Sequence, residues 1–402
     1  MHFNSPLSSL PFKSLLKTIV LKMFSTPNVE NNAIDHHSFL KGEIFDNFND
    51  GQFSYSLWND YRNQVKNRWR LTWPFQLYFD LNASGMLQDS EQMFLSTLNQ
   101  SRTYPMSIKE AFSQIKPYLD KLPEHFVDTG LIDEHAQIPI IRKKKSTQEA
   151  QAIKNDKLRT AEAIFLKIST HSNKAIENSS FLEIGCGRAY LTHAMKSIGF
   201  KKSVGIDTTT AGYSALNKID EVENCFDKLA SKQINNIEET NFNDSSFDVI
   251  CSISVLEHIK DLKKAIKEMY RILKPGGIAY HYFDPFFSHI GGHSLCILDF
   301  PWGHSRLSPT HFNNYVKQFR PHEAPYAKDF YNNLFNTPRM TLAQIQESFI
   351  ETGFQICQWE EVNSNPHAKL LTNDIFQQSQ RHYPDIQVRD FITHGVSIIM
   401  KK

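Results

Sequence analysis

Two parts of the sequence hold residues whose types and spacing could do chemistry. The first is FLEIGCGRAYLT, residues 181–192, where Gly185, Cys186 and Gly187 end an apolar run and Glu183 precedes the turn. Close-set glycines at a strand-to-helix turn let backbone N–H groups approach a ligand at a helix N-terminus. A dinucleotide fits this turn poorly, because the G-x-G-x-x-G/A fingerprint needs a small third residue and Tyr190 stands there. Glu183 adds to the misfit: a carboxylate beside the turn repels phosphates and attracts an ammonium or sulfonium cation. Asp207 closes the next apolar run, SVGID. A carboxylate there can accept hydrogen bonds from both ribose hydroxyls, in a dinucleotide or an adenosyl ligand alike, or it can cap the turn that follows.

The second part is IAYHYFDPFFSHIGGHSLCILDFPWGHSRLSPTHF, which carries His281, His289, His293, His304, His311, Asp284 and Asp299. Three roles compete for it: a substrate loop with one histidine as general base, histidines that satisfy turn backbones, and a metal site. Metal is the weakest of these. Only His289 and His293 have an i, i+4 relation, and Gly291 and Gly292 between them disfavour a helix, so no metal is expected. His293 and His304 are the first candidates for a base, with His258 and Asp284 behind them. The rings of Phe283, Phe286, Phe287, Phe300, Trp302, Tyr315 and Tyr326 read mostly as a core for this segment, with a few left to line an acceptor pocket.

The elements that must position these residues alternate between helix and strand from about residue 147. Ser146 and Glu149 form a capping-box pattern that opens the first helix, and FLEIG, SVGID, QINNI, FDVICSIS and IAYHYF read as strands. Helices are predicted at AYLTHAMKSIG, near YSALNKI, at DLKKAIKEMYRIL and at TLAQIQESFIETGF. LKPGG reads as the turn that ends the third of these. FQICQWEEV and HGVSIIMKK are the last strands. This order predicts a parallel sheet covered on both faces. Residues 1–145 are expected to form a mainly helical, irregular N-terminal region, and residues 146–402 one α/β domain with an insert at about 284–340.

With 402 residues and a formal charge of +1, the chain can bury a sizeable core and shows no electrostatic footprint for nucleic acid. The five cysteines are scattered and contain no CxxC, which argues against disulfides or a thiolate zinc site and suits a reducing cytoplasm. Residues 10–24 form an amphipathic basic pattern, with Phe12, Leu15, Leu16, Ile19, Val20 and Met23 on one face and Lys13 and Lys17 on the other. A membrane-surface anchor, an organelle leader and a helix packed on the protein's own surface all fit that pattern.

Five blocks in order, LEIGCG, GID, FDVICSISVLEHI, LKPGG and the late helix with its GF strand, resemble the signature of class I S-adenosylmethionine-dependent methyltransferases with small-molecule-type domains. The resemblance covers about residues 150–280 closely and 340–402 loosely. It implies a Rossmann-like, doubly wound seven-stranded sheet with an antiparallel last strand and S-adenosylmethionine across the strand carboxyl ends. Glu183, Gly185, Cys186 and Gly187 would hold the methionine part and Asp207 the ribose. Many relatives have an acidic residue for the adenine amino group where this chain has Asn236 and Ile237. Ser252, Ser254 and their neighbours would wall the cofactor. The implied partner is a small-molecule or glycan acceptor, methylated at O or N. Two other readings stay open: a non-catalytic S-adenosylmethionine-binding interaction protein, and an NAD-type oxidoreductase, which Tyr190 and Glu183 disfavour.

Overall fold

The computed structural model describes residues 108–119, 126–132, 137–172, 174–208, 220–288, 302–319, 339–363, 368 and 371–402. The amphipathic pattern at residues 10–24, the helix near YSALNKI, and His289, His293 and Asp299 lie outside the described residues.

Of the N-terminal region, residues 1–107 lie outside the described residues. Helix α1 (Ile108–Leu119) is followed by an antiparallel hairpin of β1 (Phe126–Ile132) and β2 (Pro139–Lys143). The β-branched pairs in FVDTGLI and PIIRK favour a pleated surface, a local signal too short to stand out in an irregular stretch. The Arg142 guanidinium on β2 donates two hydrogen bonds to Glu221, at 2.8 and 3.1 Å, and so ties the hairpin to the main domain.

Helix α2 (Thr147–Ser169) begins with the predicted capping box: the Ser146 hydroxyl accepts from the Glu149 N–H, and the Glu149 carboxylate accepts from the Ser146 N–H. The chain then alternates through β3 (Ser180–Ile184), α3 (Tyr190–Ile198), β4 (Lys202–Asp207), β5 (Ser231–Ile234), β6 (Phe247–Ile253), α4 (Leu262–Ile272) and β7 (Leu273–Phe283). Beyond the insert helices α5 (Gly303–Arg306) and α6 (Pro309–Phe319) come α7 (Leu342–Thr352), β8 (Gln355–Asn363), α8 (Asn373–Gln380), α9 (Val388–Ile392) and β9 (Thr393–Lys401).

The main sheet has seven strands in the order β5-β4-β3-β6-β7-β9-β8. The first five are parallel, and β9 runs antiparallel between β7 and β8. This is the doubly wound seven-stranded sheet with an antiparallel end that the resemblance implies. LKPGG is part of β7 rather than a separate turn, since pairing with β6 already begins at Leu273 opposite Phe247 and resumes at Ile278 opposite Val249. The residues between cross an irregularity in the ladder.

Strand order decides where a ligand can sit. β3 pairs with β4 on one side and β6 on the other, so the connections leave in opposite directions and open a crevice at the carboxyl ends of β3 and β6. Side chains alternate between two cores. Leu182, Ile184 and Ile250 face α4 and α7, whereas Phe181, Val249 and Cys251 face α2 and α3. Helix α4 shows why the first core forms: Leu262, Ala265, Ile266, Met269 and Ile272 recur at helical spacing and are all buried. Burying each of its larger side chains stabilises the fold by ~1.5–3 kcal/mol before entropy is charged.

Candidate active site

At the carboxyl edge of β3 the chain makes a left-handed turn, with Gly185 at φ +65, Gly187 at φ +50 and Ala189 at φ +60. Glycine is needed at two of these positions for different reasons. A Cβ on Gly185 would lie 2.4 Å from one γ-carbon of Val255 and 2.7 Å from the other, so the loop after β6 presses on the turn. A Cβ on Gly187 would meet nothing within 4 Å, so its missing side chain leaves open space above the turn. Asp207, at the end of β4, accepts the Gly187 N–H at 2.9 Å and fixes the turn against its neighbour strand. Its carboxylate stays half-buried at the crevice.

Glu183 lies below this loop. Strand alternation turns it to the α3 side, where it is 6% exposed and accepts a hydrogen bond from the Thr192 hydroxyl. Burial pushes its carboxyl up to about 7, against the opposing hydrogen bonds from Thr192. Cys186 is buried too, its N–H given to Ile206 O at 3.0 Å and its thiol pushed up by burial. Tyr190, the residue that spoils the dinucleotide pattern, donates its hydroxyl to Asp220, whose carboxylate also receives Arg188 at 3.4 Å. The segment before β5 is thereby tied to the start of α3.

The other candidate cofactor residues separate into edge and core. Ser254 sits at φ +53 after β6 and gives its N–H to Tyr282 O at 2.8 Å, joining the ends of β6 and β7. Ser252 shares the face of Ile250, is fully buried, and is 2.7 Å from His281 Nδ1. Its hydroxyl therefore belongs to the core, and the expectation that it walls a ligand is corrected by the strand period. Asn236 is exposed and accepts the Glu238 N–H at 3.0 Å, while Ile237 packs in the core.

The histidines divide in the same way. His281 is buried in the sheet and stacked on Phe349, and burial drives it down to about 3. His304 is 2% exposed, edge-on to Phe286 at 5.1 Å, and burial drives it also to about 3. A histidine at that value is neutral across the physiological range. Trp302 to Arg306 form a folded corner: Trp302 donates to Phe391 O at 3.3 Å, Ser305 pairs with Ser379 at 2.9 Å, and Arg306 donates to Gln378 at 2.8 Å. His258 is half-buried on a short 3-10 turn after β6 and gives its N–H to Val255 O at 2.8 Å. Asp284 is half-buried just past β7.

The group that composition and spacing do not single out is Glu257, on the turn between Val255 and His258. It is 6% exposed, and neither carboxylate oxygen has a hydrogen-bond partner among the described residues. Burial, the largest cause, raises it to about 8; the neighbouring backbone N–H groups of Glu257 and Asp284 oppose this, and the charge of Asp284 adds to it. No signal in the sequence separates such a carboxylate from an exposed one at a helix start. Among the described residues no cluster of three or more His, Cys, Asp or Glu could hold a metal ion.

Comparison with known proteins bears on this arrangement. Residues 182–281, which span the glycine turn, Asp207 and strands β3 to β7, match the family model described as "Methyltransferase domain". The match covers about a quarter of the chain, and over that stretch the chain is similar to methyltransferase domains. The chain is 31% identical over 109 residues to "Ubiquinone biosynthesis O-methyltransferase, mitochondrial" of Dictyostelium discoideum, covering 25% of this chain and 34% of that protein. It is 31% identical over 115 residues to the protein of the same name from Rattus norvegicus, covering 28% and 33%. It is also 28% identical over 102 residues to "Sterol 24-C-methyltransferase erg6" of Aspergillus fumigatus, covering 25% and 27%. The matched stretch thus spans about a third of the length of the first relatives.

Proposed function

We propose that this chain is an S-adenosylmethionine-dependent methyltransferase acting on a hydroxyl oxygen of a small-molecule acceptor. The observation that carries this reading is the left-handed glycine turn, open above Gly187 and tied to Asp207, at the switch point of the sheet. The residues present fit the cofactor. Open space at Gly187 admits a ligand to the backbone, Asp207 offers a carboxylate for ribose hydroxyls, and Asn236, exposed just past β5, offers an amide for the adenine edge. Buried Glu183 and Glu257 are carboxyl groups whose charged form a nearby sulfonium cation would favour. When bound, the cofactor supplies a methyl group on positive sulfur. The protein then contributes alignment of the acceptor and a place for its proton.

Oxygen as the acceptor atom is supported by the names of the first relatives, and an intermediate of ubiquinone biosynthesis is the first acceptor to try. A glycan hydroxyl and an amine remain arms of the same screen, and the sterol relative adds carbon. The free cysteines among the described residues, Cys186, Cys225, Cys251 and Cys357, suit a reducing compartment.

Calorimetric titration with S-adenosylmethionine, S-adenosylhomocysteine and NAD tests the ligand class. Binding of NAD alone would overturn the reading. A mass-spectrometric screen for gain of one methyl group tests turnover. Tight adenosyl binding with no product from any acceptor would favour a non-catalytic binding protein instead.

A further inference from the structure

We propose that Glu257 is the proton acceptor of the methyl transfer, its buried carboxylate taking the hydrogen of the acceptor hydroxyl. The inference rests on the proposed function and assigns a role within that site. Three observations place Glu257 there. It follows Val255, whose γ-carbons abut the Gly185 position of the glycine turn. It stands where β6 ends, beside the Asp284 backbone at the end of β7, and the Ser254 N–H to Tyr282 O bond joins those two strand ends at 2.8 Å. It also has two buried oxygens with no hydrogen-bond partner among the described residues. A buried carboxyl without partners costs free energy, and a bound hydroxyl is one group that would relieve it.

In the transfer, the acceptor oxygen forms its bond to the methyl carbon as the carbon–sulfur bond breaks and that electron pair stays on sulfur. The acceptor O–H bond breaks, and its proton passes to the Glu257 carboxylate, which later releases it to solvent. The atoms balance as methyl ether, thioether and one proton.

Charge controls when Glu257 can act. The titratable groups that influence it among the described residues are Asp284, whose negative charge raises it, and Tyr282, whose own hydroxyl is pushed up by burial and by Asp284 and Glu257. Without a cation nearby, Glu257 holds a proton near neutral pH, because burial raises it to about 8. A sulfonium in the crevice favours the carboxylate and releases that proton before the acceptor reacts. Glu183, also raised, could release one too, so the comparison must isolate Glu257.

The test uses the full chain and Glu257→Gln, which keeps size and removes the charge. Calorimetric titration with S-adenosylmethionine at pH 7, in two buffers of different ionisation enthalpy, should show proton release by the wild type. Glu257→Gln should release measurably less, and titration with S-adenosylhomocysteine, which lacks the sulfonium charge, should show little difference between the two. Where an acceptor turns over, Glu257→Gln should lower kcat by roughly 10²–10⁴-fold with cofactor affinity within about threefold. It should also abolish the rise of rate with pH. Asp284→Asn, a second variant, should move that rise about one unit toward acid by removing a negative neighbour. Equal proton release and near-equal kcat in Glu257→Gln would overturn the inference and leave the methyltransferase reading standing. Failure of the wild type to bind the cofactor at all would overturn both.

Discussion

Replacing each glycine of the turn by alanine separates two physical reasons for having glycine. Gly185→Ala places an L-residue at φ +65 and sets its Cβ 2.4 and 2.7 Å from the two γ-carbons of Val255. The backbone conformation costs about 1–2 kcal/mol, and overlap in a packed site adds about 1–3 kcal/mol. Val255 is β-branched, so turning its side chain exchanges one γ-carbon for the other and relieves little. The expected loss is about 2–5 kcal/mol, a large part of the stability of an ordinary domain. Gly187→Ala sits at φ +50 with nothing within 4 Å of its Cβ, so only the conformational part applies, about 1–2 kcal/mol. Equilibrium urea unfolding of the two variants measures the difference. Val255→Ala in the Gly185→Ala background should recover the overlap part, while in wild type it should only destabilise, a coupling that a double-mutant cycle reads directly. Calorimetry should show the reverse ranking for function: Gly187→Ala folds but binds S-adenosylmethionine at least about tenfold more weakly, because its methyl group fills the open space. Equal destabilisation by both alanines, or no coupling with Val255, would refute the reasoning.

Asp207→Ala removes the acceptor of the Gly187 N–H and should weaken adenosyl binding by roughly 1–3 kcal/mol in calorimetry; unchanged affinity would end its assignment to the ribose. Glu257 predicts a dependence of stability on pH: its folded value of about 8 lies above the ordinary 4.5, so the folded protein keeps a proton that the unfolded chain loses. The penalty is absent below pH 4.5, grows to about pH 8 and then levels off, so Glu257→Gln should gain stability over wild type across that window, by up to a few kcal/mol. Asp248 has the opposite sign. Burial would raise it, but hydrogen bonds from Lys174, Lys274 and Ser180 outweigh that and hold it well below its ordinary value. Asp248→Ala should cost about 1–2 kcal/mol at neutral pH, discounted for the partly exposed lysines, and the cost should fade as pH drops below the carboxylate range. His304→Ala should lose ~2–4 kcal/mol of stability as a core truncation while the folded fraction keeps its kcat. A fall in kcat without loss of stability would restore His304 as a base.

How much of this was legible beforehand follows the range of the interactions. The capping box at Ser146 and Glu149, the helical spacing of α4, and the continuous apolar run of β6 are decided by near neighbours, and the sequence alone determined them. So was the glycine turn, whereas the seven-stranded fold and the cofactor were expectations that the resemblance of five sequence blocks to a known family implied. Pairing and depth were not legible in the same way. Only the sheet period sends the Ser252 hydroxyl to His281 in the core and Glu183 to Thr192 beneath the loop. Only packing of α5 against α8 buries the corner from Trp302 to Arg306 and makes His304 a neutral core ring instead of a surface base. Glu257 and His258 read identically as polar residues after a strand. Yet tertiary structure leaves one with two buried oxygens that have no hydrogen-bond partner among the described residues and the other half-exposed, because burial depends on chains of contact far apart in sequence. Residue type fixes what a group can do, whereas its desolvation and its neighbours' charges fix whether it does so at neutral pH.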